Sequence, residues 1–251
     1  MNTQKNKEII ATVKQIIERN KGCVGFTRIE RVPVEEFNVL FMLDIFQEIG
    51  TEYIGSQYVI DNTNKNIIVN CLNWLFGRPF LCINPITGEQ QPGNLNAGLF
   101  ISGSTGTGKS VLLELLAALG RAYNLGYQFG GNKPINLTWT GKRADEICNE
   151  FLINGAAALN GVRTNNVVCI NDVGCEPVEQ LYMGNRVNII GQILETRGDK
   201  TGLFTLISSN LPIENKSFPT DMRRRYGDRV ASRLQAMCNY FILKGIDRRI
   251  K

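Results

Sequence analysis

Short, largely apolar runs alternate along the chain with longer segments of helical periodicity. The apolar runs are Leu99–Ile101, Val167–Ile170 and Leu203–Ile207, and each is followed by a polar residue. Strands that are apolar on both faces occur in parallel sheets that helices cover on either side. The pattern therefore predicts an α/β fold, a three-layer αβα domain whose ligands bind beyond the carboxyl ends of the strands.

Apolar spacings of three and four residues predict the helices of this domain. They cover Val111–Leu119, Lys142–Leu152 and Asn185–Thr196, and a further strand is predicted at Ile135–Thr140. Such an alternation of strands and helices is typical of a parallel sheet with helices on both faces.

Three more helices are predicted before the sheet. Residues 1–20 carry an amphipathic pattern, and Glu35–Ile49 is apolar nearly all round. The second of these segments either belongs to the core or docks on another protein, and the usual location of apolar residues favours the core. A third helix begins at Asp61 or Asn62 and carries an apolar stripe as far as Phe76.

A glycine-rich stretch joins the first apolar strand to the helix after it. Gly103, Gly108, Lys109 and Ser110 satisfy the pattern G-x-x-x-x-G-K-[ST] in the expected strand-to-helix context. The glycines let backbone N–H groups turn inward, where they and the helix N-terminus form a concavity for α- and β-phosphates. The lysine brings charge to the β- and γ-phosphates, and the serine hydroxyl is a ligand for Mg²⁺. ATP and Mg²⁺ are therefore the expected cofactors, and the nucleotide is expected on Gly103, Ser104, Thr105, Gly106, Thr107, Gly108, Lys109, Ser110 and Val111.

Composition excludes several other classes of site. The 251 residues are 43% hydrophobic and 20% charged, which is ordinary for a soluble globular protein. The chain has no histidine, and its seven cysteines lack C-x-x-C spacing, which excludes the usual zinc sites and histidine acid–base chemistry. No apolar run reaches membrane-spanning length and the N-terminus lacks the apolar core of a signal peptide, so a cytoplasmic protein without a membrane partner is expected.

Positive charge is concentrated near the C-terminus. Of the residues from Arg197 to Lys251, 12 are Lys or Arg and 5 are Asp or Glu, although the whole chain carries only +5. This asymmetry indicates a surface that contacts phosphates. The run Arg223–Arg225 could lie along single- or double-stranded DNA and bind it without sequence preference.

A second polar pair follows the apolar strand Val167–Ile170. P-loop enzymes carry a strand-end carboxylate that holds the water shell of Mg²⁺, usually followed by an acid that polarises the attacking water. Here the strand continues Asn171-Asp172-Val-Gly. With this segment the chain resembles the DnaC-type and IstB-type branch of the AAA+ ATPases, whose strand ends in Asp, then Asp or Glu, then an aliphatic residue and Gly. The resemblance covers roughly residues 58 to 250.

The resemblance gives each residue of this pair a role. Aligned on the Val-Gly that follows, the metal-side position falls on Asn171 and the water-polarising acid on Asp172, so that Ser110, Asn171 and Asp172 form the metal side of the site. An amide brings no negative charge, which implies weaker Mg²⁺ binding and slower turnover. A register shifted by one residue would make Asp172 the metal-side acid and Glu176 the next acid, and the Val-Gly pair favours the first register.

Two further motifs are similar to those of the family. Ser208–Asn210 resembles sensor 1, in which a polar side chain, here Asn210, positions the attacking water. Tyr226–Leu234 is similar to the box VII region, in which an arginine reaches the γ-phosphate on the neighbouring subunit. Arg233 is the first choice for this arginine and Arg229 the second. By composition alone, the same segment is equally a solvated basic helix.

The resemblance also assigns residues near the C-terminus and after the second strand. Lys244–Arg249 resembles the short sensor 2 segment, and Arg249 matches its arginine best. A separate C-terminal helical lid is not expected. Lys142 and Arg143 fall in the region that faces the central channel of related assemblies, where they would contact DNA.

The function implied by the resemblance is that of a helicase loader. The expected protein hydrolyses ATP, forms a homo-oligomeric ring or filament on DNA, and delivers or remodels a replicative helicase. Residues 1–57 would be a helical, partner-binding region and residues 58–251 the AAA+ ATPase domain. A transposition helper would use the same ATPase core with a transposase as partner. A third possibility, motivated by Asn171, is an adaptor gated by nucleotide that hydrolyses little or no ATP.

Overall fold

The computed structural model describes residues 10–12, 14–15, 29–32, 34, 37–129, 133–200, 202–215 and 217–248. Residues 10–12 and 14–15 are helical. The rest of the helix predicted for residues 1–20 lies outside the described residues, and so does Arg249.

The strands and helices are as follows. The strands are β1 (Ile29–Arg31), β2 (Leu81–Ile83), β3 (Gln90–Pro92), β4 (Gly98–Ser102), β5 (Gly126–Phe129), β6 (Ile135–Asn136), β7 (Gly141–Arg143), β8 (Val167–Val173), β9 (Gln180–Tyr182), β10 (Asn185–Val187), β11 (Phe204–Ser209) and β12 (Cys238–Ile242). The helices are α1 (Val39–Ile54), α2 (Lys65–Leu75), α3 (Lys109–Ala122), α4 (Ala144–Asn154), α5 (Asn160–Thr164), α6 (Ile189–Gly198), α7 (Met222–Tyr226) and α8 (Asp228–Met237), with a 3₁₀ helix at Gly155–Leu159.

A mixed sheet, mostly parallel, forms the middle layer. Within the described residues it has seven strands in the order β3-β2-β12-β4-β11-β8-β7. The strands from β12 to β7 are parallel to one another, whereas β2 and β3 are antiparallel at one edge. Strand β11 lies between β4 and β8, so the three polar strand ends at Ser102, Asn171 and Ser208 are neighbours at one edge of the sheet.

Helices cover both faces of this sheet. Successive side chains of β4 point to opposite faces: Leu99 and Ile101 join a core with α1, α2 and α3, whereas Phe100 joins a core with α4, α6 and α8. All three side chains are fully buried. The αβα layering with a parallel sheet and a strand–P-loop–helix unit confirms the predicted fold class.

Helix α1 packs its inner face on the sheet-containing domain. Met42, Leu43 and Phe46 are buried in the same core as α2 and α3. On the outer face, Leu40 and Phe41 are 65% and 58% exposed. The helix predicted for residues 35–49 thus begins later, after Asn38 caps it by accepting from the backbone N–H groups of its first turn, and has one core face and one apolar surface.

The second strand of the parallel sheet is not where the sequence predicts it. Ile135–Asn136 pairs with β5 in a small separate sheet, and the main sheet takes Gly141–Arg143 instead, which the pattern places partly in a helix. A glycine at this position leaves room for the ends of the Glu114 and Asn171 side chains, which a Cβ on Gly141 would displace. A three-residue strand has too few side chains to show a periodicity of two.

The helix predicted for Asn185–Thr196 is also shorter than expected. Asn185–Val187 is strand β10, which pairs with β9 through a two-residue turn in which Met183 and Gly184 both have positive φ. Helix α6 begins at Ile189, where the Asn188 side chain accepts from the Gly191 N–H at 2.8 Å. None of the helices in the described parts of the chain has the length and apolar character needed to cross a membrane.

Candidate nucleotide-binding site

A cavity of about 460 Å³ lies beside the loop between β4 and α3. It is found at the carboxyl ends of the parallel strands, and its volume is in the range of small-molecule sites. Its walls come from six parts of the chain: Ile54, Ser56 and Tyr58; Thr105, Gly106, Gly108, Lys109, Ser110 and Val111; Arg143; Asp172 and Cys175; Asn210; and Arg248. The structure thus brings Asp172 and Asn210 to the P-loop, as the sequence predicts.

The P-loop has the backbone geometry that its glycines allow. Gly106 and Gly108 have φ of 77° and 94°, values that favour glycine. Gly103 packs so closely on the Leu243 carbonyl that a Cβ would clash with it. Thr107 lies behind the loop, where its hydroxyl donates to the Ser104 carbonyl at 2.9 Å.

The Lys109 ammonium lies inside the loop and is only 6% exposed. Its Nζ donates to the carbonyls of Gly103 and Ser104 at 2.9 and 2.8 Å and to Asn210 Oδ1 at 2.8 Å. Asn210 Nδ2 in turn donates to Thr105 Oγ1 at 3.3 Å. The predicted phosphate-binding lysine and the predicted sensor 1 residue therefore contact each other at the cavity wall.

Ser110 opens helix α3, and its hydroxyl meets the end of β11. Ser110 Oγ is 3.1 Å from Ser208 Oγ. Ser208 Oγ also donates to Asn171 Oδ1 at 3.0 Å and accepts from the Asp172 N–H at 3.0 Å. Asn171 is 8% exposed and does not line the cavity, so its link to Ser110 runs through Ser208.

Asp172 turns toward the cavity from a strained position. Its φ is 56°, a left-handed conformation that Asp tolerates better than most residues. The side chain is 31% exposed, and its Oδ2 lies 3.5 Å from Arg143 Nη1. A carboxylate at this place can accept a proton from, or orient, a water in the cavity.

Glu176, the alternative acid, has a different role. It is 2% exposed, and its Oε2 accepts from the Gly174 N–H at 2.9 Å while Oε1 accepts from the Tyr226 hydroxyl. Burial and the adjacent carboxylate raise the pKa of Tyr226 well above its ordinary value. Both oxygens of Glu176 bond protein groups away from the cavity, which disfavours the shifted register in which Glu176 is the second acid.

The oxygen atoms of the site fit Mg²⁺. The Ser110 hydroxyl and the Asp172 carboxylate line the cavity, and both are hard oxygen ligands of the kind that Mg²⁺ prefers. No group of three or more Cys, Asp or Glu side chains in the described residues would hold a metal by itself. Mg²⁺ keeps several waters and shares phosphate oxygens, so a few protein ligands suffice.

Arg143 lines the cavity, and the contact with DNA that the resemblance implies for it stays a prediction. In the parallel register Arg143 is opposite Asn171, and its guanidinium hydrogen-bonds Asp145 at 3.0 and 3.2 Å and reaches Asp172. These acids raise the pKa of Arg143, with the Asp145 hydrogen bond as the largest cause. The adjacent Lys142 pairs with Glu150 at 2.6 Å. Arg143 is at the carboxyl end of β7, so a strand prediction for residues 141–143 would have placed it at the cavity.

The two candidate arginines of box VII lie on α8, away from the cavity of their own chain. Arg233 packs against Gly198, and its Nε donates to Asp199 Oδ1 at 3.0 Å. Arg229 is more available, because its side chain is 71% exposed and lies 3.8 Å from Glu195. A contact of either residue with a neighbouring subunit stays a prediction.

The arginine run Arg223–Arg225 is paired within the chain. Arg223 bonds Glu214 at 3.0 Å and also Asp228. Arg224 lies 3.6 Å from Asp221, and Arg225 lies 4.0 Å from Glu176. These pairs offset much of the positive charge that the sequence suggested for DNA, and DNA binding stays a prediction.

The segment after β12 passes directly over the P-loop. The Arg248 N–H donates to the Gly106 carbonyl at 3.0 Å, and its guanidinium bonds Asp61 at 2.8 Å and Thr63 at 2.9 Å. The hydrogen bonds from Thr63 and Arg248 lower the pKa of Asp61 to about 2. Arg248 therefore lies at the cavity, next to the predicted Arg249, which lies outside the described residues.

The comparisons with known proteins give similarities of structure. No protein-family model and no curated protein matches the chain. The crystal structure of DnaI is similar at 17% identity and a TM-score of 0.48, over 78% of this chain and 89% of that one. The structure of AMPPCP-bound DnaA from Aquifex aeolicus is similar at 16% identity and a TM-score of 0.43, over 74% of this chain and 48% of that one.

Proposed function

We propose that this chain binds ATP with Mg²⁺ in the cavity beside the P-loop and hydrolyses it. The observation that carries the proposal is the meeting of Lys109, Ser110, Asp172 and Asn210 at one cavity. These residues come from the P-loop and from the ends of β8 and β11, and each has the chemistry that its position requires. A glycine turn without a ligand has no need of this combination.

The side chains divide the work of phosphoryl transfer. Mg²⁺, when bound, neutralises charge on the β- and γ-phosphates. Lys109 leaves its contacts with the loop carbonyls for phosphate oxygens, and the loop N–H groups hold the α- and β-phosphates. Asp172 orients the attacking water and accepts its proton, while Asn210 fixes the position of that water.

We further propose that the ATPase acts as a helicase loader. The support is the resemblance of the motifs at Gly103–Ser110, Asn171–Gly174, Ser208–Asn210 and Tyr226–Leu234 to the DnaC-type branch. In a side-by-side homo-oligomer on DNA, Arg233 or the more exposed Arg229 would complete the site of the neighbour. The partner would be a replicative helicase, or a transposase if the protein is a transposition helper.

One observation favours a second candidate, an adaptor gated by nucleotide. Asn171 is neutral and lies behind Ser208, so the metal side of the cavity has one carboxylate fewer than the family pattern. Such a protein would hold ATP and release phosphate very slowly. Its nucleotide state would still control the binding of DNA or a partner protein.

The test measures ATP binding and phosphate release with and without single-stranded DNA. We expect the wild type to do both and Lys109→Ala to lose both. Lys142→Ala is the matched control, because Lys142 pairs with Glu150 and does not line the cavity. ATP binding without phosphate release would favour the adaptor, and absence of nucleotide binding by the folded wild type would contradict both candidates.

A further inference from the structure

We propose that Ser208 is a positioning residue that sets the direction of the Ser110 hydroxyl through a relay anchored by Asn171 and Glu114. The inference rests on the proposed nucleotide site. It concerns how a chain with an amide at residue 171 keeps its P-loop serine ready for a cation.

The hydrogen bonds around Ser208 have one consistent arrangement. A hydroxyl has one proton and two lone pairs, and Ser208 Oγ has three neighbours at 3.0 to 3.1 Å. The Asp172 N–H is a donor, and Asn171 Oδ1 is an acceptor. Ser208 therefore gives its proton to Asn171 and accepts from Asp172, which leaves one lone pair for the proton of Ser110.

Glu114 explains why the Asn171 carbonyl faces Ser208. Glu114 follows Ser110 by four residues on α3 and so lies on the same helix face. Its Oε1 accepts from the Gly141 N–H at 3.2 Å, and both Glu114 Oε1 and Asn171 Nδ2 would clash with a Cβ on Gly141. A carboxylate favours the NH₂ side of the amide. Asn171 Oδ1 is thereby directed to the other side, where Ser208 and Cys169 Sγ at 4.0 Å can donate to it.

As a consequence, the O–H bond of Ser110 has a fixed direction, toward Ser208. When its proton points at Ser208, its lone pairs are available to the cavity that Ser110 lines. Without the acceptor on Ser208, the proton is free to rotate toward the cavity, where it would oppose a cation. Ser208 is fully buried, so water does not replace it as an acceptor.

The test compares nucleotide affinity in two buffers. Binding of fluorescently labelled ADP is titrated in Mg²⁺ and in EDTA, and the ratio of the two affinities gives the Mg²⁺ enhancement. For Ser208→Ala we expect the enhancement to fall about three- to tenfold, the range for loss of one hydrogen bond, while affinity in EDTA stays within about twofold. Ser208→Cys keeps the size and weakens the acceptor, and it serves if the alanine variant does not fold.

Ser209→Ala is the matched control. Ser209 is the next residue of β11 and equally buried, but it faces the other side of the strand, where its hydroxyl bonds the Val173 carbonyl and the Leu211 N–H. Its loss should lower stability and keep the Mg²⁺ enhancement. An unchanged enhancement in folded Ser208→Ala or Ser208→Cys overturns the relay alone, as does an equal fall in Ser209→Ala. A wild type that binds no nucleotide overturns the proposed function and the relay with it.

Discussion

Placing a carboxylate at residue 171 by Asn171→Asp is expected to destabilise this protein, because Glu114 already occupies the neighbouring space. Asn171 is 8% exposed. Its Nδ2 and Glu114 Oε1 both lie close to the place that a Cβ on Gly141 would take. The substitution replaces a donor that suits Glu114 with a second negative oxygen. A carboxylate at the buried position 171, beside the partly exposed Glu114, is repelled by it, and the repulsion favours protonation of one of the two.

The size of the effect follows from the separation. Because both lie close to the same point at Gly141, Glu114 Oε1 and Asn171 Nδ2 are at most about 5 Å apart. At this distance two like charges repel by about 3 kcal/mol for an effective dielectric constant of about 20. We expect Asn171→Asp to lower the free energy of unfolding by about 2–4 kcal/mol at pH 8. Because repulsion raises the pKa of the introduced carboxylate in the folded state, the loss is smaller at pH 5, where one carboxylate takes up a proton more readily.

A double-mutant cycle measures this coupling. Urea unfolding is followed by fluorescence of the buried Trp74 and Trp139 for wild type, Asn171→Asp, Glu114→Gln and the double variant. The double variant should recover most of the stability, with a coupling energy of about 3 kcal/mol. A coupling below about 0.5 kcal/mol would refute the reasoning, since this is the error of additivity for independent sites.

Three further predictions concern the cavity and the core. Asp172→Asn should lower phosphate release at least about 100-fold and change ATP affinity by less than about threefold, as removal of a general base does; a loss of binding equal to the loss of turnover would contradict its role. Asp247→Asn should tighten ATP binding about two- to fivefold, because the carboxylate lies against Gly106, where phosphates are expected; unchanged affinity by titration would exclude this repulsion. Arg197→Ala should cost about 3–5 kcal/mol in urea unfolding, because the side chain is 1% exposed and its loss leaves Thr205 Oγ1 and three backbone carbonyls without their donor; a cost below about 1 kcal/mol would show that these bonds contribute little.

Arg197 also shows the electrostatic effect of burial. Loss of hydration lowers its pKa to about 10. The sequence counts it among the positive residues of the C-terminal part, yet its side chain is inside the protein. Charge totals along the sequence therefore overstate the positive charge at the surface of the C-terminal part.

Local patterns were enough to predict the P-loop, helix α3 and the strands β4, β8 and β11. Each depends on a run of adjacent residues whose glycine content or apolar periodicity shows directly in the sequence. The order of parallel strands then places their carboxyl ends at one edge, which is why Asp172 and Asn210 were correctly expected at the cavity.

Contacts between distant parts of the chain decided the rest. The short strand β7 brings Arg143 to Asp172, a contact that the sequence pattern did not predict. The run Arg223–Arg225 is basic in the sequence, but Glu214 and Glu176, which lie outside its helix, pair with Arg223 and Arg225.

The sequence by itself therefore determined the phosphate loop and the polar strand ends, because these depend on neighbours along the chain. Only the tertiary structure decided which partner each polar side chain has. Glu114 and Ser208 show the difference. Glu114 belongs to no motif, the sensor 1 resemblance gives its role to Asn210 and not to Ser208, and both residues come near Asn171 only when α3, β8 and β11 pack together. The physical reason is that hydrogen bonds and ion pairs act over a few ångströms in space, whereas sequence patterns report only neighbours along the backbone.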